Sequence, residues 1–160
     1  MAVTLPFPSG GRSAQGAWDA FLRVTEATDT RAAGGPLQGA TLLEALRRLV
    51  DASPAGAAPT IHVTGHSLGG AIASTVGLHL RRQQWSRRVT FQVHTFAAPT
   101  AGDADVAHAF DGAFPGTSPS ADSSWRVENA YDVVPNAWQS PRPAGLPARL
   151  QHLSPAPRRA

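Results

Sequence analysis

The stretch that most narrows the possible folds is residues 61 to 82, Ile-His-Val-Thr-Gly-His-Ser-Leu-Gly-Gly-Ala-Ile-Ala-Ser-Thr-Val-Gly-Leu-His-Leu-Arg-Arg. Ile61, Val63 and Thr64 are β-branched and suit a pleated strand, whereas the small and apolar residues after Leu68 recur at helical spacing. Between them lies Gly65-His66-Ser67-Leu68-Gly69, a Gly-x-Ser-x-Gly turn. A strand, a tight turn and a helix in this order form a nucleophile elbow, whose sharp bend holds the serine on strained backbone. Gly65 and Gly69 lack a β-carbon, which lets the strand and helix pass close to one another, and Gly70 adds a further small residue. Ser67 is thereby lifted out of the sheet edge. The amide of Leu68 falls at a helix N-terminus, where partial positive charge meets a developing oxyanion.

At 160 residues the chain has the length of one domain, 1–160, with enough residues to bury a core. No apolar run approaches the roughly 18 residues of a membrane span. Met1 to Pro8 has neither a charged start nor a continuous apolar core, so it does not read as a secretory signal. Cysteine is absent, which removes disulfides, thiolate metal sites and cysteine nucleophiles together. All 14 basic residues are arginine, and the net charge is only +3. The pairs Arg47-Arg48, Arg81-Arg82, Arg87-Arg88 and Arg158-Arg159 are scattered and lack interleaved aromatics, so nucleic acid is not an expected partner. No metal-ligating cluster of histidines and carboxylates stands out, and neither a metal nor a cofactor is expected.

In chain order, Pro6, Pro8 and Gly10-Gly11 suggest an irregular lead-in over residues 1–13. Trp18, Phe21, Leu22 and Thr25 recur at helical spacing and predict a helix from about 14 to 27. Thr41-Leu-Leu-Glu44 is a capping box opening a helix whose Leu42, Leu43, Leu46, Leu49 and Val50 form one stripe. The elbow helix is expected to run to about Arg82. Residues 88–97 alternate as a strand whose second face is apolar enough to be partly covered. Asp103 can cap a short helix carrying Val106, Ala109 and Phe110. A Gly/Pro/Ser-rich loop, 112–124, leads to a third strand over Trp125–Ala130. The proline-rich residues 138–160 read as an irregular tail. Alternating strands and helices at this spacing imply parallel pairing and an α/β class.

Three segments resemble, in order and spacing, the central portion of the class 3 (fungal-type) lipases: Val63-Thr-Gly-His-Ser-Leu-Gly-Gly-Ala71, Thr95-Phe-Ala-Ala-Pro-Thr-Ala-Gly-Asp103 and Asn129-Ala-Tyr-Asp-Val-Val-Pro135. The likeness covers about residues 14–137, including Gln15-Gly-Ala-Trp18, which looks like the family's helix start. It implies a partial α/β-hydrolase fold, a mainly parallel sheet flanked by helices, and a carboxylic ester hydrolase working through an acyl-enzyme, with a lipid or small ester as substrate. On this resemblance Ser67 is the nucleophile, Leu68 supplies an oxyanion-hole amide and Asp132 is the acid of the triad. Asp132 also follows a predicted parallel strand, on the rim where α/β sites form. Its alternative role is to cap the turn before Pro135.

Both ends of the family pattern depart. The strand and Arg-Gly-Thr/Ser-type turn that donate a second oxyanion amide should precede residue 14, and Gly11-Arg12-Ser13 is a poor substitute. The order Ser, Asp, His leaves His152 as the candidate base, in Ala148-Arg-Leu-Gln-His-Leu-Ser-Pro155. His62, His66, His79, His94 and His108 are expected to be structural. A different expectation follows from the same departures: a truncated, inert lipase-like domain with an exposed sheet edge through which it self-associates or binds a partner chain.

Overall fold

The computed structural model describes residues 1–6, 10–30, 34–116, 118, 120–129 and 131–136. Its elements are β1 (Ala2–Thr4), β2 (Arg12–Ala14), α1 (Gln15–Glu26), α2 (Leu42–Asp51), β3 (Thr60–His66), α3 (Leu68–Arg81), β4 (Thr90–Phe96), α4 (Ala104–Ala113) and β5 (Ser123–Val127), then a 3-10 turn, Val134–Asn136. β3, β4 and β5 form one parallel sheet in that order, with His66 opposite Phe96 and Phe96 opposite Val127. The expected α/β class, a mainly parallel sheet with flanking helices, is what the chain adopts.

Alternation along the strands decides which face carries the core. Ile61 lies opposite Phe91 and Val63 opposite Val93. These residues join Phe21, Val50, Val76, Leu80 and Phe114 in one apolar cluster fed by α1, α2, α3 and α4. Phe91, Leu78, Leu80 and Val93 are almost wholly withdrawn from water, each such side chain contributing about 1.5–3 kcal/mol. On the other face Gln92 and Ser123 are buried near the start of the sheet, but Phe96 is 42% and Val127 52% exposed at its carboxyl end. Across that face His62, His94 and Trp125 stack ring on ring, at 5.9 and 4.6 Å between centroids. Burial, and then the neighbouring charge of His62, hold the His94 imidazole below its ordinary pKa.

Local chemistry accounts for the helix starts. In α2, Thr41 Oγ1 accepts from the Glu44 amide and Glu44 Oε2 accepts from the Thr41 amide at 2.8 Å, completing the capping box. The backbone hydrogen bond from Thr41 is the main reason the Glu44 carboxyl lies below its usual pKa. Asp103 caps α4 by accepting from Val106 N at 3.2 Å.

Two sequence expectations are corrected. The lead-in is not irregular: β1 and β2 form an antiparallel pair with Val3 opposite Ser13. It is fixed by a distant segment, because Arg12 N donates to Asp103 Oδ2 at 2.9 Å and Ser13 Oγ donates to Ala101 O at 2.7 Å. The last strand begins at Ser123, two residues early, and stops at Val127. Its start is set by pairing of Ser123 with Gln92. The expected tail, 138–160, lies outside the described residues.

Candidate active site

β3 ends at His66 and α3 starts at Leu68, so Ser67 alone makes the bend. Its backbone, at φ 54° and ψ −129°, is in a region that residues with a β-carbon rarely adopt. Two hydrogen bonds hold it there. Ser67 N donates to Phe96 O at 2.9 Å, and Ser67 O accepts from Gly70 N at 2.8 Å. Its own amide is therefore committed to the neighbouring strand. Leu68 is the first residue of α3, so its amide belongs to the group at a helix start that has no intrahelical acceptor.

The glycines of the turn divide differently from the sequence expectation. A β-carbon at Gly65 would stand 2.0 Å from the Gly69 carbonyl oxygen, whereas one at Gly69 would meet nothing within 4 Å. The second close approach is at Gly70, where a β-carbon would stand 2.5 Å from Ala98 Cβ. Strand and helix pass through Gly65, and helix and the segment after β4 pass through Gly70. That segment is itself strained. Ala97 has φ 47° and, with Ser67, is one of two non-glycine residues at positive φ among those described. Its amide donates to Val127 O at 2.8 Å.

All three strands run parallel, so the carboxyl ends of β3 and β5 share a rim. Ser67 directly follows β3, and Asp132 lies in the loop five residues beyond the end of β5. Asp132 is half-buried, its Oδ1 accepts from Val134 N at 2.9 Å, and its amide donates to Asn129 O at 3.0 Å. The turn-capping role weighed from sequence is present, carried by one carboxylate oxygen. His152 lies outside the described residues.

At Gly11-Arg12-Ser13 two donors are engaged. The Arg12 amide is taken by Asp103, and Ser13 is buried within the β1–β2 pair with its hydroxyl on Ala101 O. The other histidines sit in secondary structure. His66 is exposed beside Ser67, and His108 is exposed on α4. His79 meets Phe21 edge to face at 5.5 Å, and burial holds its imidazole below the ordinary pKa.

Sequence reasoning missed Arg126. From β5 its Nε pairs with Glu128 Oε2 at 2.8 Å, while its Nη2 donates to Ala98 O at 2.8 Å and to Pro135 O at 2.9 Å. The available signal was an arginine inside an otherwise uncharged strand, Ser123-Ser-Trp-Arg-Val127.

No helix of the described residues is long and apolar enough to cross a membrane. In comparison with known proteins, no curated relative matches the sequence. Among solved structures, the fold is similar to the crystal structure of M37 lipase, with a TM-score of 0.70 and 29% identity over 86% of this chain. It is also similar to native Rhizomucor miehei lipase in a propeptide complex, at a TM-score of 0.58 and 22% identity over 86% of this chain. The chain spans 39% and 37% of the lengths of those two proteins. The family model for lipase (class 3) matches residues 6–140, which takes in the elbow, the Thr95–Asp103 segment and the Asp132 loop, and the chain belongs to that family.

Proposed function

We propose that the chain is a carboxylic ester hydrolase of lipase or esterase type, with Ser67 as nucleophile. The observation that supports this most directly is the strained Ser67 backbone at the carboxyl rim of a parallel sheet, one residue before a helix. In the proposed reaction His152 takes the Ser67 hydroxyl proton as Oγ attacks the ester carbonyl carbon. The Leu68 amide holds the tetrahedral oxyanion. Asp132 orients the imidazole and stabilises its cationic form. The alkoxide leaves as an alcohol with the proton from the imidazolium, and water then attacks the acyl-serine by the same route and releases the acid. A lipid or a small ester is the substrate class, and the chemistry calls for no cofactor.

A fluorophosphonate probe tests the reading. Labelling of Ser67 is expected in the folded protein, and is expected to vanish in urea and in Ser67→Ala. A folded protein that takes no label overturns it.

A second reading is favoured by a separate observation. Among the described residues β3 is bonded to β4 on one side only, and Thr60–His66 contains no carboxylate, lysine or arginine to keep another strand away. An apolar groove of about 460 Å3 runs beside it, lined by Leu42, Leu46, Ile61, Val63 and Ile72. On this reading the domain is inert and two copies pair along the edge of β3. Light scattering separates the two: a dimer without esterase turnover supports pairing, and a monomer that turns over a short-chain ester rules it out.

A further inference from the structure

We propose that Arg126 is the positioning residue of the acid loop, holding Asp132 in register with the elbow; the proposal rests on the hydrolase reading above. The loop leaves β5 at Val127 and closes at the 3-10 turn, Val134–Asn136. Arg126 grips it at both ends. Its Nε is paired with Glu128 at the start, and its Nη2 donates to the Pro135 carbonyl at the finish. Within that span the Asp132 amide donates to Asn129 O and its Oδ1 accepts from Val134 N.

The same guanidinium reaches across to the nucleophile's side of the rim. Nη2 also donates to Ala98 O at 2.8 Å. Ala98 is buried and abuts Gly70 so closely that a β-carbon there would stand 2.5 Å from Ala98 Cβ. Gly70 N in turn donates to Ser67 O at 2.8 Å. A continuous chain of contacts therefore runs from the acid loop through Arg126, Ala98 and Gly70 to Ser67. The planar fork of arginine serves three acceptors in fixed directions, which the single ammonium of lysine cannot reproduce. Arg126 touches no reacting atom in this arrangement and acts through the placement of Asp132.

The test is a double-mutant cycle on the full chain, read as the rate of short-chain ester turnover and of fluorophosphonate labelling. Arg126→Gln is expected to lower kcat by about 10²-fold with little change in KM, since misplacing a catalytic group by about 1 Å has that effect. In an Asp132→Asn background the same change is expected to cost less than about threefold, because the group being positioned is already disabled. Arg126→Lys is expected to recover only a small part of the loss. An equal fold loss in both backgrounds overturns the proposal, as does full activity in Arg126→Gln. Amide hydrogen exchange reads the clamp without turnover. Arg126→Gln is expected to speed exchange at Asp132 and Val134 while β4 amides stay protected. Unchanged exchange at those two amides overturns the clamp even in a protein that hydrolyses nothing, whereas faster exchange with no labelling of the parent protein sinks the hydrolase reading alone.

Discussion

Gly65→Ala is expected to lose at least about 3 kcal/mol of stability, the upper end of what overpacking costs in a protein interior. The added methyl would stand 2.0 Å from the carbonyl oxygen of Gly69, 2.4 Å from its carbonyl carbon and 2.8 Å from Gly70 N. All three are backbone atoms of the first turn of α3, so no rotamer change relieves the clash. The turn cannot retreat as a unit either. Ser67 is tied to Phe96 by its amide and to Gly70 by its carbonyl, and Gly70 is pressed against Ala98. Set against a total stability of about 5–15 kcal/mol, a loss of this size leaves a marginal fold. Urea unfolding monitored by circular dichroism measures it as a fall in midpoint at unchanged slope. Gly69→Ala is the control. A β-carbon there meets nothing within 4 Å and the position is helical, so alanine is expected to be neutral or to stabilise by up to about 1 kcal/mol. Equal losses at the two glycines would falsify the contact argument.

The contrast between those two glycines shows what could be read from the sequence and what could not. The elbow was legible because strand, turn and helix lie within residues 61–82 and their signals are local. The capping box at Thr41 and Glu44 was legible for the same reason. Which glycine the helix packs against was not, since Gly65 and Gly69 are equivalent in a Gly-x-Ser-x-Gly string and only the path of α3 distinguishes them. The β1–β2 pair was hidden because it is anchored to Asp103, 91 residues beyond Arg12. The start of β5 was displaced because register with β4, rather than its own sequence, sets where pairing begins. Arg126 was hidden more deeply: two of its three acceptors are the backbone carbonyls of Ala98 and Pro135, which carry no side-chain signature. The turn-capping reading of Asp132 was legible because Asp132 and Val134 are only two residues apart in the chain.

Ser67→Gly is expected to move activity and stability in opposite directions. On the hydrolase reading it removes the attacking oxygen, and ester turnover is expected to fall on the order of 10⁶-fold, the loss typical of deleting a serine nucleophile. The backbone responds differently. At φ 54° and ψ −129° a β-carbon is crowded by its own chain, a strain of about 1–3 kcal/mol, and glycine occupies this region without it. Glycine also enlarges the conformational freedom of the unfolded chain, which offsets about 0.5–1 kcal/mol of the gain. The net expectation is a variant about 1 kcal/mol more stable than the parent and without detectable turnover. Ser67→Ala separates the two causes. It loses the same hydroxyl but keeps the β-carbon, so its turnover should match that of the glycine variant while its urea midpoint stays near the parent. If glycine and alanine variants unfold at the same urea concentration, the bend stores no strain. If either still hydrolyses ester at the parent rate, the attacking group is not Ser67.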